Sequence, residues 1–402
     1  MISKKLRQGI GHSVVELGKT RHVFASAMPQ NDGDLRQQTE DALRSIQAAF
    51  KDCGGNGSII KQSVFIAAPE DAQQCREIVK EFYGDDLPAT TYIPQKPCSG
   101  KLLEIEAMGI VSLDNTVDIE RRSEQMVVSR HGGVSWLHSS HISPSTKAPH
   151  VYDRSINAFE KLSGSLTEGQ ARLDQVVRTW LYLGDIVGPE GETQRYKELN
   201  RARTDFYEDV EFLADRLPDK IDWPVYPAST GIGTDGKDVL MSSIAVSTDR
   251  EDVVMVPLEN PQQTSAFDYR EHYSPRSPKF CRAMAVAVGD AATIFISGTA
   301  SITDSETRYI DDAPGQTGQT LDNIEALISA DNFKSHDMPK LGATLDDLAV
   351  VRVYVKRQED YPAIKAICDE RLGEVPAIYT IADVCRPDLL VEIEGVAFSY
   401  PK

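Results

Sequence analysis

The chain has 402 residues, of which 41% are apolar and 26% charged, and its formal charge is −18. That length exceeds one ordinary core, and the apolar share is enough to bury several, so disorder is not expected. A surface this acidic, interrupted by no block of Lys or Arg, excludes nucleic acid as a partner, and the lack of any run of about 18 apolar residues argues against a membrane span.

The first predicted element is a strand at His22-Val23-Phe24-Ala25-Ser26. A helix follows, its apolar face carried by Leu43, Ile46 and Ala49, and then a strand at Ser63-Val64-Phe65-Ile66. Cys75, Ile78 and Val79 mark a second helix, Pro88-Ala89 a turn, and Leu103-Glu104-Ile105-Glu106-Ala107-Met108 alternates as a strand does. After a polar stretch from Ser112 to Ser129, the series restarts. Ser135-Trp136-Leu137-His138-Ser139 reads as a strand, Ile156, Phe159 and Leu162 as a helix, and Arg178-Thr179-Trp180-Leu181-Tyr182 as a strand. The last strand of this second series is Leu240-Met241-Ser242-Ser243-Ile244-Ala245, with Ser242 in the place of a glutamate.

The region from Thr248 to Ser277, with Asn260-Pro261, Ser274-Pro275 and Ser277-Pro278, reads as a loop. A third series then begins at Thr293-Ile294-Phe295-Ile296-Ser297-Gly298. It continues through a helix on Leu321, Ile324 and Leu327, a strand at Arg352-Val353-Tyr354-Val355, a helix on Ile364, Ile367 and Cys368, Pro376-Ala377, and Val391-Glu392-Ile393-Glu394-Gly395-Val396. Glu392 and Pro376 lie 288 residues beyond Glu104 and Pro88. Chance does not readily reproduce five elements in one order and register, so the chain reads as three copies of one α+β domain, at 1–125, 126–269 and 270–402.

Cys53, Cys75, Cys98, Cys281, Cys368 and Cys385 form no C-x-x-C pair, and no His stands at metal-ligand spacing. Reduced thiols in a cytoplasmic protein without a metal are therefore expected. Residues Met1 to Leu17 carry no apolar run of the kind a secretion signal needs. Trp136, Trp180 and Trp223 read as core.

The third copy resembles the RidA (YjgF, endoribonuclease L-PSP-like) family. The resemblance rests on Phe295-Ile296-Ser297-Gly298, Gln319-Thr320-Leu321-Asp322-Asn323-Ile324, Val351-Arg352-Val353-Tyr354-Val355, Pro376-Ala377 and Val391-Glu392-Ile393-Glu394. It implies a chorismate-mutase-like fold, with helices outside, sheets around a central barrel and ligand sites between domains, so that three fused copies make a pseudo-trimer within one chain. RidA imine deaminases place an arginine directly after the Pro-Ala turn, where this chain has Thr90, Ser229 and Ile378. Imine deamination is disfavoured on that ground, because none of these residues pairs with a carboxylate as a guanidinium does. Endoribonuclease activity is disfavoured by the acidic surface and by the lack of a histidine pair placed for RNA cleavage.

A narrower resemblance, over roughly residues 175–402, is to the chorismatases of the 3-hydroxybenzoate synthase type. Its segments include Asn200-Arg-Ala-Arg203, Tyr226-Pro-Ala-Ser-Thr-Gly-Ile-Gly233, Glu259-Asn-Pro-Gln262, Tyr273-Ser-Pro-Arg-Ser-Pro278, Gly298-Thr-Ala-Ser301 and Cys385-Arg-Pro-Asp-Leu-Leu-Val-Glu392. It implies hydrolysis of chorismate to pyruvate and a hydroxybenzoate or dihydroxycyclohexadiene carboxylate, with neither metal nor organic cofactor. Glu392 would be the general acid and Cys385 the cysteine of the hydroxybenzoate-forming type. Arg203 and Arg276 would hold the substrate carboxylates, and Tyr273, Gly298 and Thr299 would line the pocket. The partner expected is a small anionic, chorismate-like metabolite held by a locally basic pocket, in a monomer or small homo-oligomer. Ser242 removes the acid from one cleft, and Ala25-Ser26-Ala27 removes the glycine wall beside Glu104, so one site per chain is expected around Glu392. The other reading is a non-catalytic RidA-like pseudo-trimer that binds a metabolite or a protein partner.

Overall fold

Residues 103–108 alternate, and in the computed structural model, which describes residues 2–54, 57–268 and 276–401, they open a central strand of a six-stranded sheet. That sheet comprises β1 (Ile2–Arg7), β2 (Ile10–Leu17), β3 (Thr20–Ala27), β4 (Gly57–Ile66), β5 (Ala89–Pro94) and β6 (Leu103–Ser112). The strands lie in the order β1-β2-β3-β6-β4-β5. The second sheet holds β7 (Asp118–Ser123), β8 (Met126–His131), β9 (Val134–Ile142), β10 (Val176–Gly184), β11 (Ala228–Thr234) and β12 (Val239–Ser247), in the order β7-β8-β9-β12-β10-β11. The third holds β13 (Val253–Leu258), β14 (Ala283–Val288), β15 (Ala291–Ala300), β16 (Leu348–Val355), β17 (Ala377–Ile381) and β18 (Val391–Ser399), ordered β13-β14-β15-β18-β16-β17. The topology is the same three times, down to a parallel last pair in each sheet. A register shift recurs at one place in each copy, between Ile59 and Lys61, Val176 and Arg178, and Leu348 and Val350.

Two stretches expected as loops contain strands. Val253–Leu258 lies within the proline-bearing region and pairs with β14, which places it in the third sheet. Its apolar run, Val-Val-Met-Val-Pro-Leu, carries the burial, while the prolines that suggested a loop follow it. Asp118–Ser123 is polar because it is the edge strand of the second sheet, half-buried at most, and needs no apolar face to pair with β8.

Each sheet is backed by helices: α1 (Leu35–Asp52) and α2 (Ala72–Tyr83), α3 (Val151–Glu168) and α4 (Arg195–Phe206), and α5 (Ala313–Ile328) and α6 (Tyr361–Leu372). Leu43, Ile46 and Ala49 are buried in α1, as are Leu321, Ile324 and Leu327 in α5. In α3 the buried face is Ser155, Ala158, Phe159, Leu162 and Leu166, so Ile156, expected on it, sits half-buried at its margin. Among the described residues no helix is long and apolar enough to cross a membrane.

The start of α1 is fixed locally. Asp34 accepts a hydrogen bond from the Gln37 amide at 2.9 Å, and the Gln37 side chain accepts from the Asp34 amide at 3.0 Å, forming a capping box. Asp34→Ala is expected to cost about 1 kcal/mol, read as a lower denaturation midpoint. An unchanged midpoint would mean that water caps the helix equally well.

The three sheets touch in a cycle: β5 against β9, β11 against β15, and β16 against β2 and β3. Around the axis lies a buried polar knot. Glu394 on β18 accepts from Arg178 at 2.5 Å, Trp180 Nε1 at 2.8 Å and Tyr354 Oη at 3.1 Å, and Arg352 reaches both Glu394 and Glu106. Strands of all three domains thus meet at the centre, β6, β10, β16 and β18, and β18 carries Glu392 two residues along on the same face.

Candidate active site

The cleft between the second and third domains encloses about 840 Å³. Helix α4 forms one wall. Its Tyr196, Asn200 and Arg203 fall at i, i+4 and i+7, one helical face turned toward the domain boundary. Strand β11 adds Ser229 and Gly231, and the third domain adds Arg282, Gly298, Ala300, Glu392 and the loop Cys385–Leu389.

Glu392 is buried, and its carboxyl is pushed up to about 8. Burial is the main cause and the neighbouring Glu394 adds to it, while Arg178 and Arg282 pull the other way. Glu394, on the same strand, goes in the opposite direction. Burial alone would raise it, but Arg178 and Arg352, with hydrogen bonds from Thr230 and Trp180, hold it below the usual carboxylate range. Two carboxyls two residues apart are therefore held in different states at neutral pH, one acid and one anion, which is how a site sets aside a proton donor.

Gly298 is where β15 meets that acid. The pairing of β15 with β18 slips between Ile296 and Thr299, and the slip turns Gly298 toward Glu392. A Cβ on Gly298 would stand 2.1 Å from Glu392 Oε1, so only glycine leaves the carboxyl room. In the first domain β3 pairs with β6 without a slip, and Ser26 faces Glu106 in unbroken register. Thr299, expected to line the pocket, is buried away from it and donates its hydroxyl to Ser297 O at 2.9 Å; Gly298 and Ala300 line the cleft instead.

Cys385 also lines the cleft. Burial and the nearby Glu392 push its thiol up to about 12, so it is a thiol and not a thiolate at neutral pH. Arg203 is fully buried behind the wall. It donates to Asn200 Oδ1 at 2.6 Å and to Ser229 Oγ at 3.4 Å, and both of those residues line the cleft. Arg276 is exposed, two residues before the lining residue Pro278, and Tyr273 lies outside the described residues.

Three basic side chains that the sequence reading did not single out line the cleft: Lys197, Arg282 and Arg386. Arg282 is buried and donates to Thr264 O at 2.9 Å, and Arg386 donates to Ser305 O at 2.9 Å. The signal for Arg386 was present, since it follows Cys385 in the segment Cys385–Glu392 that resembles the chorismatases. Arg282 stands just past the proline-flanked loop, with nothing in the sequence to mark the strand that turns it inward.

The glutamate of the first domain has other surroundings. Glu104 is buried and pushed up to about 7 by burial, against bonds from the Ser99 hydroxyl and the Tyr379 backbone. The segment Lys96–Ser99 lies along β17, with Ile381 N donating to Lys96 O at 2.8 Å and Cys98 N to Tyr379 O at 2.9 Å. Glu104 is thus covered by its own domain's chain. Ser242 is buried opposite Trp180.

A sheet-lined pseudo-trimer with a protonated carboxyl between domains defines the class. Residues 278–399, nearly the whole of the third domain, match the family model described as Endoribonuclease L-PSP. The chain is also similar to a 3-hydroxybenzoate synthase of Streptomyces hygroscopicus, at 36% identity over 227 residues, 55% of this chain and 63% of that one. A chorismatase of Streptomyces rapamycinicus is 34% identical over 226 residues, again 55% and 63% of the two chains. The match thus spans less than two thirds of these relatives' own length. A solved chorismatase structure superposes with a TM-score of 0.64 over 95% of this chain and 99% of that one, at 21% identity, a likeness of fold.

Proposed function

We propose that the chain is a chorismatase-like hydrolase with one site per chain, in the cleft around Glu392. The observation that carries this reading is a buried carboxyl, proton-bearing at neutral pH, in a cleft with basic side chains. Hydrolysis of an enol ether begins when a proton is placed on the vinyl methylene carbon. The C=C electron pair forms the new C–H bond and leaves an oxocarbenium ion, and Glu392, now a carboxylate, accepts a proton from the water that captures the cation. The hemiketal then collapses: the reprotonated Glu392 gives its proton to the ring oxygen as the bond from the hemiketal carbon to that oxygen breaks, the hemiketal hydroxyl returns its proton to Glu392 as the C=O of pyruvate forms, and pyruvate and a dihydroxycyclohexadiene carboxylate leave. Loss of water from that ring would give the hydroxybenzoate product, with Cys385 beside the ring. The reaction is general acid chemistry and requires no organic cofactor.

The two carboxylates of chorismate would be held by Arg282 and Arg386, which reach the cleft directly, with Arg276 on its approach. Arg203 would act through Asn200 and Ser229 as a positioning residue. The similarity to named chorismatases supports the substrate, and the fold supports the placement of the cleft.

The test is incubation of the protein with chorismate and an assay for pyruvate, with the ring product identified by chromatography. Saturable binding of chorismate without pyruvate would replace this reading with that of a binding module. Gly298→Ala is expected to displace the Glu392 carboxyl and reduce kcat by about tenfold or more, since misplacement by about 1 Å costs on that scale. An unchanged kcat would remove Glu392 from the chemistry or Gly298 from its support.

A further inference from the structure

Each sheet carries a tight hairpin between its second and third strands, at residues 17–20, 131–134 and 288–291. All three border one cavity of about 650 Å³, which shares no lining residue with the Glu392 cleft. Because the hairpins are equivalent elements of three domains around a pseudo-threefold axis, this cavity stands at one mouth of that axis.

Its inner wall is aromatic. His131 and Trp136 are stacked, 6° from parallel with ring centres 6.1 Å apart; His22 meets His131 edge-on at 5.2 Å. Below them lies a void of about 20 Å³ that shares His22, His131, Trp136 and Thr293 with the larger cavity and is also lined by His138. Three nitrogens of these lining residues have no hydrogen-bond partner among the described residues: Trp136 Nε1, His131 Nε2 and His138 Nδ1. A buried nitrogen without a partner is costly, and a void of this size admits one oxygen atom. Trp136 can only donate, while a neutral histidine offers one donor and one acceptor, so an oxygen that both accepts and donates suits the set.

Charge is absent from the interior. Burial lowers His22 to about 3 and His131 to about 4, so both are neutral at pH 7. At the rim, Lys19 pairs with Asp114, Glu16 with Arg21, and Arg250 is taken by Asp252 and by Gly132 O. An ionised ligand would lose its hydration there without gaining a counter-charge.

We propose that this axial cavity binds an uncharged phenol, with its planar ring in the larger space and its hydroxyl in the small void bordered by His131, Trp136 and His138, whose remaining lining is largely apolar. The site is separate from the Glu392 cleft and does not depend on the reaction assigned to it.

The chain has three tryptophans, so protein labelled with ¹⁵N-tryptophan gives three indole resonances. Titration with 2-naphthol is expected to move one of them saturably: the one missing from Trp136→Phe. Thr293→Phe, which fills the junction of the two voids, is expected to raise the half-saturation concentration about tenfold or more. Glu392→Gln, which alters only the other cleft, is expected to leave the titration unchanged. The proposal is overturned if no resonance moves up to the solubility limit of 2-naphthol, as when water alone fills the void. It is equally overturned if the moving resonance is that of Trp180 or Trp223, or if Glu392→Gln abolishes the shift. Should Thr293→Phe fail to fold, the identity of the moving resonance in the wild-type protein decides the matter.

Discussion

Glu392→Gln is expected to lower pyruvate release from chorismate by about 10²–10⁴ while leaving the fold intact. The side chain is buried and proton-bearing at neutral pH, so an amide of nearly the same shape replaces a neutral acid without stranding a charge. The amide has no acidic proton to give. Wild-type activity should fall as pH rises through about 8, where the acid is lost. Stability carries the same signature. The carboxyl moves from an ordinary 4.5 to about 8 on folding, so between those values the folded state holds a proton that the unfolded chain has released. Wild-type stability therefore declines across that window as pH rises and levels off above it, and the glutamine variant lacks this slope. Denaturant melts of both proteins at pH 5 and pH 8 measure the difference. Parallel behaviour, or a variant with full turnover, would show that Glu392 is not the buried acid described.

Much of this arrangement was legible because burial imposes period. The alternation at Val391–Val396 marks a strand with one polar and one apolar face, and Glu392 and Glu394 share the polar one, although both faces are buried. The helices were legible from the spacing of Leu43, Ile46 and Ala49 and of Leu321, Ile324 and Leu327, which are buried as read. What escaped lacks that signal. The outer strands Ile2–Arg7 and Asp118–Ser123 are edge strands with no fully buried side chain. The slip that sends Gly298, and not Thr299, to the cleft is a backbone event that no side-chain pattern records. The cover over Glu104 depends on hydrogen bonds from Lys96–Ser99 to a strand more than 280 residues away, and no local period encodes a contact between domains. The division of labour between Glu392 and Glu394 was hidden for the same reason. One sits near a bulge and the other meets Arg178 and Arg352, and both outcomes are set by chain far away in sequence.

Glu394→Gln is expected to be far more damaging to the fold than Glu392→Gln, by about 3–5 kcal/mol, the usual cost of removing one partner of a buried ion pair. Glu394 is 3% exposed and is the meeting point of Arg178, Arg352, Trp180, Tyr354 and Thr230. Arg352 would keep Glu106, at 2.6 and 2.8 Å, but Arg178, itself 1% exposed, would keep the Thr230 hydroxyl and the Trp180 ring while losing its one buried counter-charge. The pH dependence runs opposite to that of Glu392. A carboxyl held low on folding stabilises the protein above its unfolded value, and that contribution is lost as pH falls through the folded value, so the variant and wild type should converge in acid. The same substitution also reaches the cleft. Glu394 helps to raise Glu392, so its removal should shift the alkaline limb of the pH–activity profile toward lower pH in whatever fraction remains folded. Urea denaturation at pH 7 together with that profile tests both effects. A variant as stable as wild type would show that the central knot sets register without contributing stability, and an unmoved alkaline limb would show that the two carboxyls titrate independently.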